Sequence, residues 1–176
     1  FATQENVQHR VAWIFAAFGL ATIVGGLLGG LVSKNLAPLS ALRNTYLVWF
    51  LTCIPIAFTN PDWTMALVGA FIGLVGGAVQ VFYFEVLEAV RPQGSQTSSL
   101  GWIWSVEGSF MAVGAAIGGV VSEEFSPRVG LAMLPIMILF GLIILTVGRG
   151  RLSAANDIPT EEEDLRAIKD ISNEVK

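Results

Sequence analysis

The sequence predicts an all-α fold: a polytopic transmembrane helical bundle of five spans. Three observations carry this. The chain of 176 residues is 53% hydrophobic but only 14% charged, against about 25% charged in an ordinary soluble domain. The apolar residues fall in runs of about 20, long enough at 1.5 Å per residue to cross a bilayer core of about 30 Å. Turn signals separate the runs: Asn60-Pro61-Asp62, Arg91-Pro92-Gln93-Gly94-Ser95 and Ser126-Pro127-Arg128.

The spans are expected at about 11–33, 39–58, 63–84, 100–121 and 129–148. The first, Val11 to Ser33, is longer than the roughly 7–15 residues of a signal-peptide core. The second carries Arg43 near its start, and the fourth is interrupted once, by Glu107. Backbone groups in lipid must bond within their own segment, so all five should be helices. Strands are excluded by run length and by the lack of alternation. Residues 1–152 then form the bundle, and 153–176 a cytoplasmic acidic tail.

Lys and Arg set the orientation. One side carries Lys34, Arg43, Arg91, Arg149 and Arg151, and the other Arg10 and Arg128. The richer side belongs in the cytoplasm of a plasma membrane. Trp13, Trp63 and Trp102 fall near span ends, as interfacial anchors do, whereas Trp49 sits mid-span and does not fit that belt. Seven of the fourteen acids lie in the tail between Asp157 and Glu174, which leaves the bundle near neutral. No basic stripe points to nucleic acid. Within the tail, Thr160 and Glu163 form a capping box ahead of a narrow stripe of Leu165, Ile168 and Ile171. That stripe fits a solvated helix or a partner-docking one.

Glycines recur at four-residue steps: Gly25 and Gly29 in the first span, Gly69, Gly73 and Gly77 in the third, Gly114 and Gly118 in the fourth. This period places small residues on one helix face and lets backbones approach closely. It serves tight packing, or smooth faces that rock during transport. Polar residues are uneven. The fifth span offers only Thr146, so it should face lipid. The third and fourth carry Gln80, Tyr83, Glu85, Ser105, Glu107 and Ser109, so they should face a cavity or a partner.

No P-loop, nucleophile elbow or zinc-protease motif is present, so neither an enzyme nor an ATP-driven pump is expected. The single Cys53 and single His9 offer no metal cluster, and no cofactor is expected. Glu107 is the one carboxyl well inside a span. A charge there costs about 2.5–3.5 kcal/mol on insertion scales, and such residues face a bundle interior or wet cavity. With Ile103, Trp104, Phe110 and Met111 one turn away, Glu107 fits a proton-coupling or cation-binding carboxyl, with Trp104 stacking on the substrate. It also fits a neutral acid bonded to a neighbouring helix, or one paired with an arginine of a segment beyond these spans. Thr97, Ser98 and Ser99 precede Leu100 and should cap the fourth span.

The stretch from Glu85 to Gly119, EVLEAVRPQGSQTSSLGWIWSVEGSFMAVGAAIGG, resembles the tenth and eleventh helices of the major facilitator superfamily. There a helix ends in an acidic patch and a V-x-P loop, and a glycine-rich helix follows. The stretch is similar in flavour to bacterial drug-efflux and sugar-efflux members. Gly25 to Asn44, GGLLGGLVSKNLAPLSALRN, resembles the eighth helix and its cytoplasmic loop. Ser33 and Lys34 stand where that loop's motif has acid and base, and its glycine-basic ending is absent.

The resemblance implies helices eight to twelve of a carboxy-terminal half. It implies a small-molecule substrate moved by alternating access, possible proton-coupled efflux, and an amino-terminal half as partner. Phe1 is not a start methionine, so a processed chain or fragment is expected, with that half and helix seven missing. Substrate or ion pathway candidates are Glu107, Trp104, Gln80 and Tyr83. Cytoplasmic gate candidates are Glu88, Arg91 and Ser98, with the start of the fourth span facing the other half's inner loop. The competing function is a non-transporting assembly subunit or receptor.

Overall fold

A computed structural model describes residues 10–34, 36–90 and 96–153. Arg91, Asn35 and the tail beyond Ser153, with its expected capped helix, lie outside the described residues. The described residues form five helices and no strand: α1 Val11–Ser33, α2 Pro38–Cys53, α3 Trp63–Val90, α4 Gln96–Glu124 and α5 Pro127–Val147. A 3-10 segment, Ile54–Phe58, continues α2, and another, Gly148–Gly150, ends α5. All five are long and apolar enough to cross a membrane.

Local chemistry sets the ends. Pro38 occupies the first turn of α2, where a missing N–H costs nothing. Pro55 cannot donate to the helix behind it, and there the α-helix gives way to the 3-10 turn. Asp62 starts α3: its Oδ1 accepts from the Thr64 N–H at 2.8 Å and from the Thr64 hydroxyl at 2.5 Å. The hydroxyl bond foremost holds the Asp62 carboxyl below the usual carboxylate range. Ser126 Oγ accepts from the Val129 N–H and starts α5.

Two helices outrun their apolar spans. α3 continues to Val90 rather than stopping near Phe84, and α4 is already helical from Gln96. Hydropathy marks where lipid ends, not where the helix does. Thr97, Ser98 and Ser99 therefore lie inside the first turn of α4 instead of ahead of it as caps.

The tightest pairing is α1 on α3, backbone to backbone. A Cβ at Gly25 would run into the Leu74 carbonyl of α3. A Cβ at Gly29 would stand 3.0 Å from Ala78 Cα. From the other side, a Cβ at Gly73 would meet the Phe18 carbonyl, and one at Gly77 the Thr22 carbonyl. Gly69, Gly114 and Gly118 share the four-residue spacing, but a Cβ at any of them meets no atom within 4 Å. Gly69 is buried all the same, and the Gly118 carbonyl lies beside Gly130, so at these positions glycine is not required for a close backbone approach.

The side-chain core lies where α2 meets α3 and α5. Leu39, Ala41 and Leu42 of α2 are buried against Val79, Phe82 and Val86 of α3. Cys53, at 0% exposure, packs with Ile72 and Ile138 as a small apolar residue would. Trp49 is held here and not at an interface. Its indole N–H donates to the Ile72 carbonyl at 3.1 Å. The ring lies 3.2 Å from where a Gly76 Cβ would stand, so glycine there opens the helix backbone to the indole. Tyr46 meets Trp49 edge-on at 5.6 Å and rests against Gly141 of α5. Two single glycines thus seat one aromatic pair between three helices.

Gly25→Ala should destabilise the protein by about 1–3 kcal/mol, because the backbones must part to admit a methyl group. Trp49→Phe should cost about 1 kcal/mol through the lost hydrogen bond. Gly19→Ala, where a Cβ meets nothing, should be neutral or slightly stabilising. Thermal unfolding in detergent checks all three.

Candidate functional site

α4 packs on α5 across a tight turn, and Gly130 in the first turn of α5 leaves room for the Ser122 hydroxyl of α4. Across from α3 it stands open, and two clefts lie between these helices. The larger, of about 360 Å³, is lined by Gln80 and Phe84 of α3 and by Trp104, Glu107, Gly108 and Met111 of α4. The second, of about 300 Å³, is lined by Tyr83, Trp102, Ile103, Val106 and Glu107. Glu107 is common to both.

Helix periodicity explains the grouping. Gln80 and Phe84 are one turn apart on α3, as are Trp104 with Gly108 and Glu107 with Met111 on α4. Glu107 stands 11 residues beyond Gln96, about 16 Å along α4 at 1.5 Å per residue.

All four sequence-derived pathway candidates meet here: Gln80, Trp104 and Glu107 in one cleft, Tyr83 with Glu107 in the next. Phe84, Gly108 and Met111 complete the first lining and Trp102, Ile103 and Val106 the second, and none of the six was among the candidates. The i, i+4 step from Gln80 reaches Phe84 and that from Trp104 reaches Gly108. Trp102 reads by sequence only as an interfacial anchor. Phe84 meets Tyr83 at 5.4 Å, tilted by 66°.

Ser105 and Ser109 spend their hydroxyl protons on their own helix, donating to Gly101 O and Ser105 O at 2.8 Å each. The side-chain polar groups offered by the linings are thus the Glu107 carboxyl, the Gln80 amide, the Tyr83 hydroxyl and the indole N–H groups. Around them are aromatic and thioether surfaces suited to a partly apolar small molecule.

The remaining candidates lie elsewhere. Glu88 and Ser98 are exposed near the facing ends of α3 and α4. Glu85 sits one turn beyond Val81, which approaches Gly29 of α1, and its Oε2 is buried without a hydrogen-bond partner. No group of three or more metal-ligating side chains occurs among the described residues. At the opposite end of the bundle, the Arg128 guanidinium donates to Asn60 Oδ1 at 3.0 Å, tying the start of α5 to the α2–α3 turn.

Five helices of membrane-spanning length, two of them lining a mixed polar and aromatic cleft, define a multi-pass membrane protein. The family model of the Major Facilitator Superfamily matches residues 4–175, and the chain belongs to that superfamily, a family of membrane transporters of small solutes rather than of enzymes. Neither the curated proteins nor the solved structures give a match to the chain.

Proposed function

We propose that this bundle is the carboxy-terminal half of a secondary transporter in the cytoplasmic membrane. It moves a small solute by alternating access against an amino-terminal half. The α3–α4 clefts form part of the solute path, and Glu107 couples movement to protons in the direction of efflux. The observation that carries this reading is the position of Glu107. A carboxyl deep in an apolar helix lines both clefts beside Gln80, Tyr83 and Trp104. Intramembrane carboxyls are costly and mark ion or substrate pathways.

Trp104 is 67% exposed and Met111 71% exposed, leaving this face of α4 free to meet a solute and a facing half. Glu88, Arg91 and Ser98 then belong to the inner gate, and the glycine seam holds α1 and α3 together as one unit. The lysine and arginine bias puts the tail in the cytoplasm.

The test is flux in proteoliposomes of the full-length transporter, with a panel of labelled sugars and drug-like amines under an imposed pH gradient. Glu107→Gln keeps size and removes titration, so pH-driven flux should fall to that of protein-free liposomes. Undiminished flux with its pH dependence intact refutes the coupling role. No flux in the wild type, together with tight co-purification of a partner protein, favours an assembly subunit instead.

Orientation has its own check. In a Cys53→Ala background, an impermeant thiol reagent on intact cells should label Glu123→Cys and leave Arg91→Cys untouched. The reverse pattern overturns the topology.

A further inference from the structure

A third cleft, of about 290 Å³, lies away from the α3–α4 site, at the end of the bundle that carries Lys34, Arg43, Arg149 and Arg151. It opens between the start of α2 and the end of α5. Leu39, Ser40 and Arg43 line it from α2, and Leu145, Arg149 and Ser153 from the far side. Both arginines are exposed, and neither makes a hydrogen bond or ion pair within the described structure.

The helix end adds a second source of positive potential. Ala37 precedes α2 with no side-chain cap, and Pro38 has no N–H to give. Ala41 closes the first helical bond, to Ala37 O at 2.9 Å. The N–H groups of Leu39 and Ser40 therefore have no partner within the helix, and both residues line the cleft. Two guanidinium groups from two helices, uncapped amides and the N-terminal end of a helix dipole meet in one concave site. Each of these favours a phosphate oxyanion.

The apolar surroundings narrow the ligand. Leu39 is buried and Leu145 half-buried, so the floor is hydrocarbon. On α5 next to the cleft, Ile144 and Val147 point outward, exposed, on a helix long enough to span the membrane. The site thus sits at the border between a polar end and a lipid-facing wall.

We propose that this cleft binds the phosphate headgroup of an anionic phospholipid, with its acyl chains lying along the outer face of α5. The basic bias places the site in the inner leaflet, where anionic lipid and basic pockets between helices meet. The lipid then straps α2 to α5, the two helices that hold the Tyr46–Trp49 pair.

The test is native mass spectrometry of the detergent-purified full-length protein, titrated with phosphatidylglycerol or phosphatidylcholine. Wild-type protein should retain phosphatidylglycerol in preference. The Arg43→Ala, Arg149→Ala double variant should bind it about thirtyfold more weakly, the fold-change equivalent to about 1 kcal/mol per basic residue. Arg149→Ala alone, which alters only a 3-10 turn, should weaken binding about fivefold. Arg128→Ala, at the other end of the bundle, should change nothing.

Equal retention of the two lipids, or undiminished retention by both arginine variants, overturns the site. Displacement of phosphatidylglycerol by inorganic phosphate overturns the lipid in favour of a free anion. A gain in phosphatidylglycerol affinity when the chain is ended at Ser153 shows that the acidic tail fills the cleft instead. None of these readouts depends on transport.

Discussion

In a bilayer a leucine gains little from leaving lipid for another leucine, so helices associate through close van der Waals contact. The α1–α3 pair depends on that constraint. Gly25, Gly29, Gly73 and Gly77 bring two backbones together at heights where a single added methyl group would overlap a carbonyl or crowd an α-carbon. α3 is thereby fixed on one side by α1 and on the other by the side-chain core with α2. The Trp49 hydrogen bond to the Ile72 carbonyl locks the second contact, and it needs Gly76 to reach its acceptor.

With α3 held on these two sides, α4 is left to pack chiefly on α5. The α3–α4 space is lined from α3 by side chains whose positions the rest of the bundle sets, and from α4 by a helix with few neighbours. A rigid wall carrying Gln80 and Tyr83 faces a freer one carrying Trp104 and Glu107. On the proposed reading, such a division suits a site that must both hold a solute and change the side from which it is open.

Much of this was legible in the sequence, for reasons that differ by feature. The five spans show because length and hydropathy are set by bilayer thickness. Their ends do not, because polar residues continue a helix into water, as α3 does to Val90 and α4 from Gln96. Four-residue glycine spacing is shared by Gly25 and Gly29 and by Gly114 and Gly118, yet among the described residues an added Cβ would collide only at the first pair. Spacing records that a face is smooth, not what covers it. Gly76 and Gly141 seat aromatic rings from another helix, and no local pattern marks them. The cleft residues were visible as polar side chains in otherwise apolar spans, since lipid makes each of them costly. Phe84 has no such mark and joins them only through its place one turn from Gln80.

The claim that the α3–α4 clefts lie on the solute path is tested most directly by substrate protection. In a Cys53→Ala background, the rate of maleimide labelling at Gln80→Cys is measured in proteoliposomes with and without a transported solute. The cleft account predicts that saturating solute slows labelling at Gln80→Cys and leaves labelling at Glu123→Cys, exposed at the far end of α4, unchanged. A labelling rate at position 80 that ignores a solute the protein is visibly transporting would contradict it.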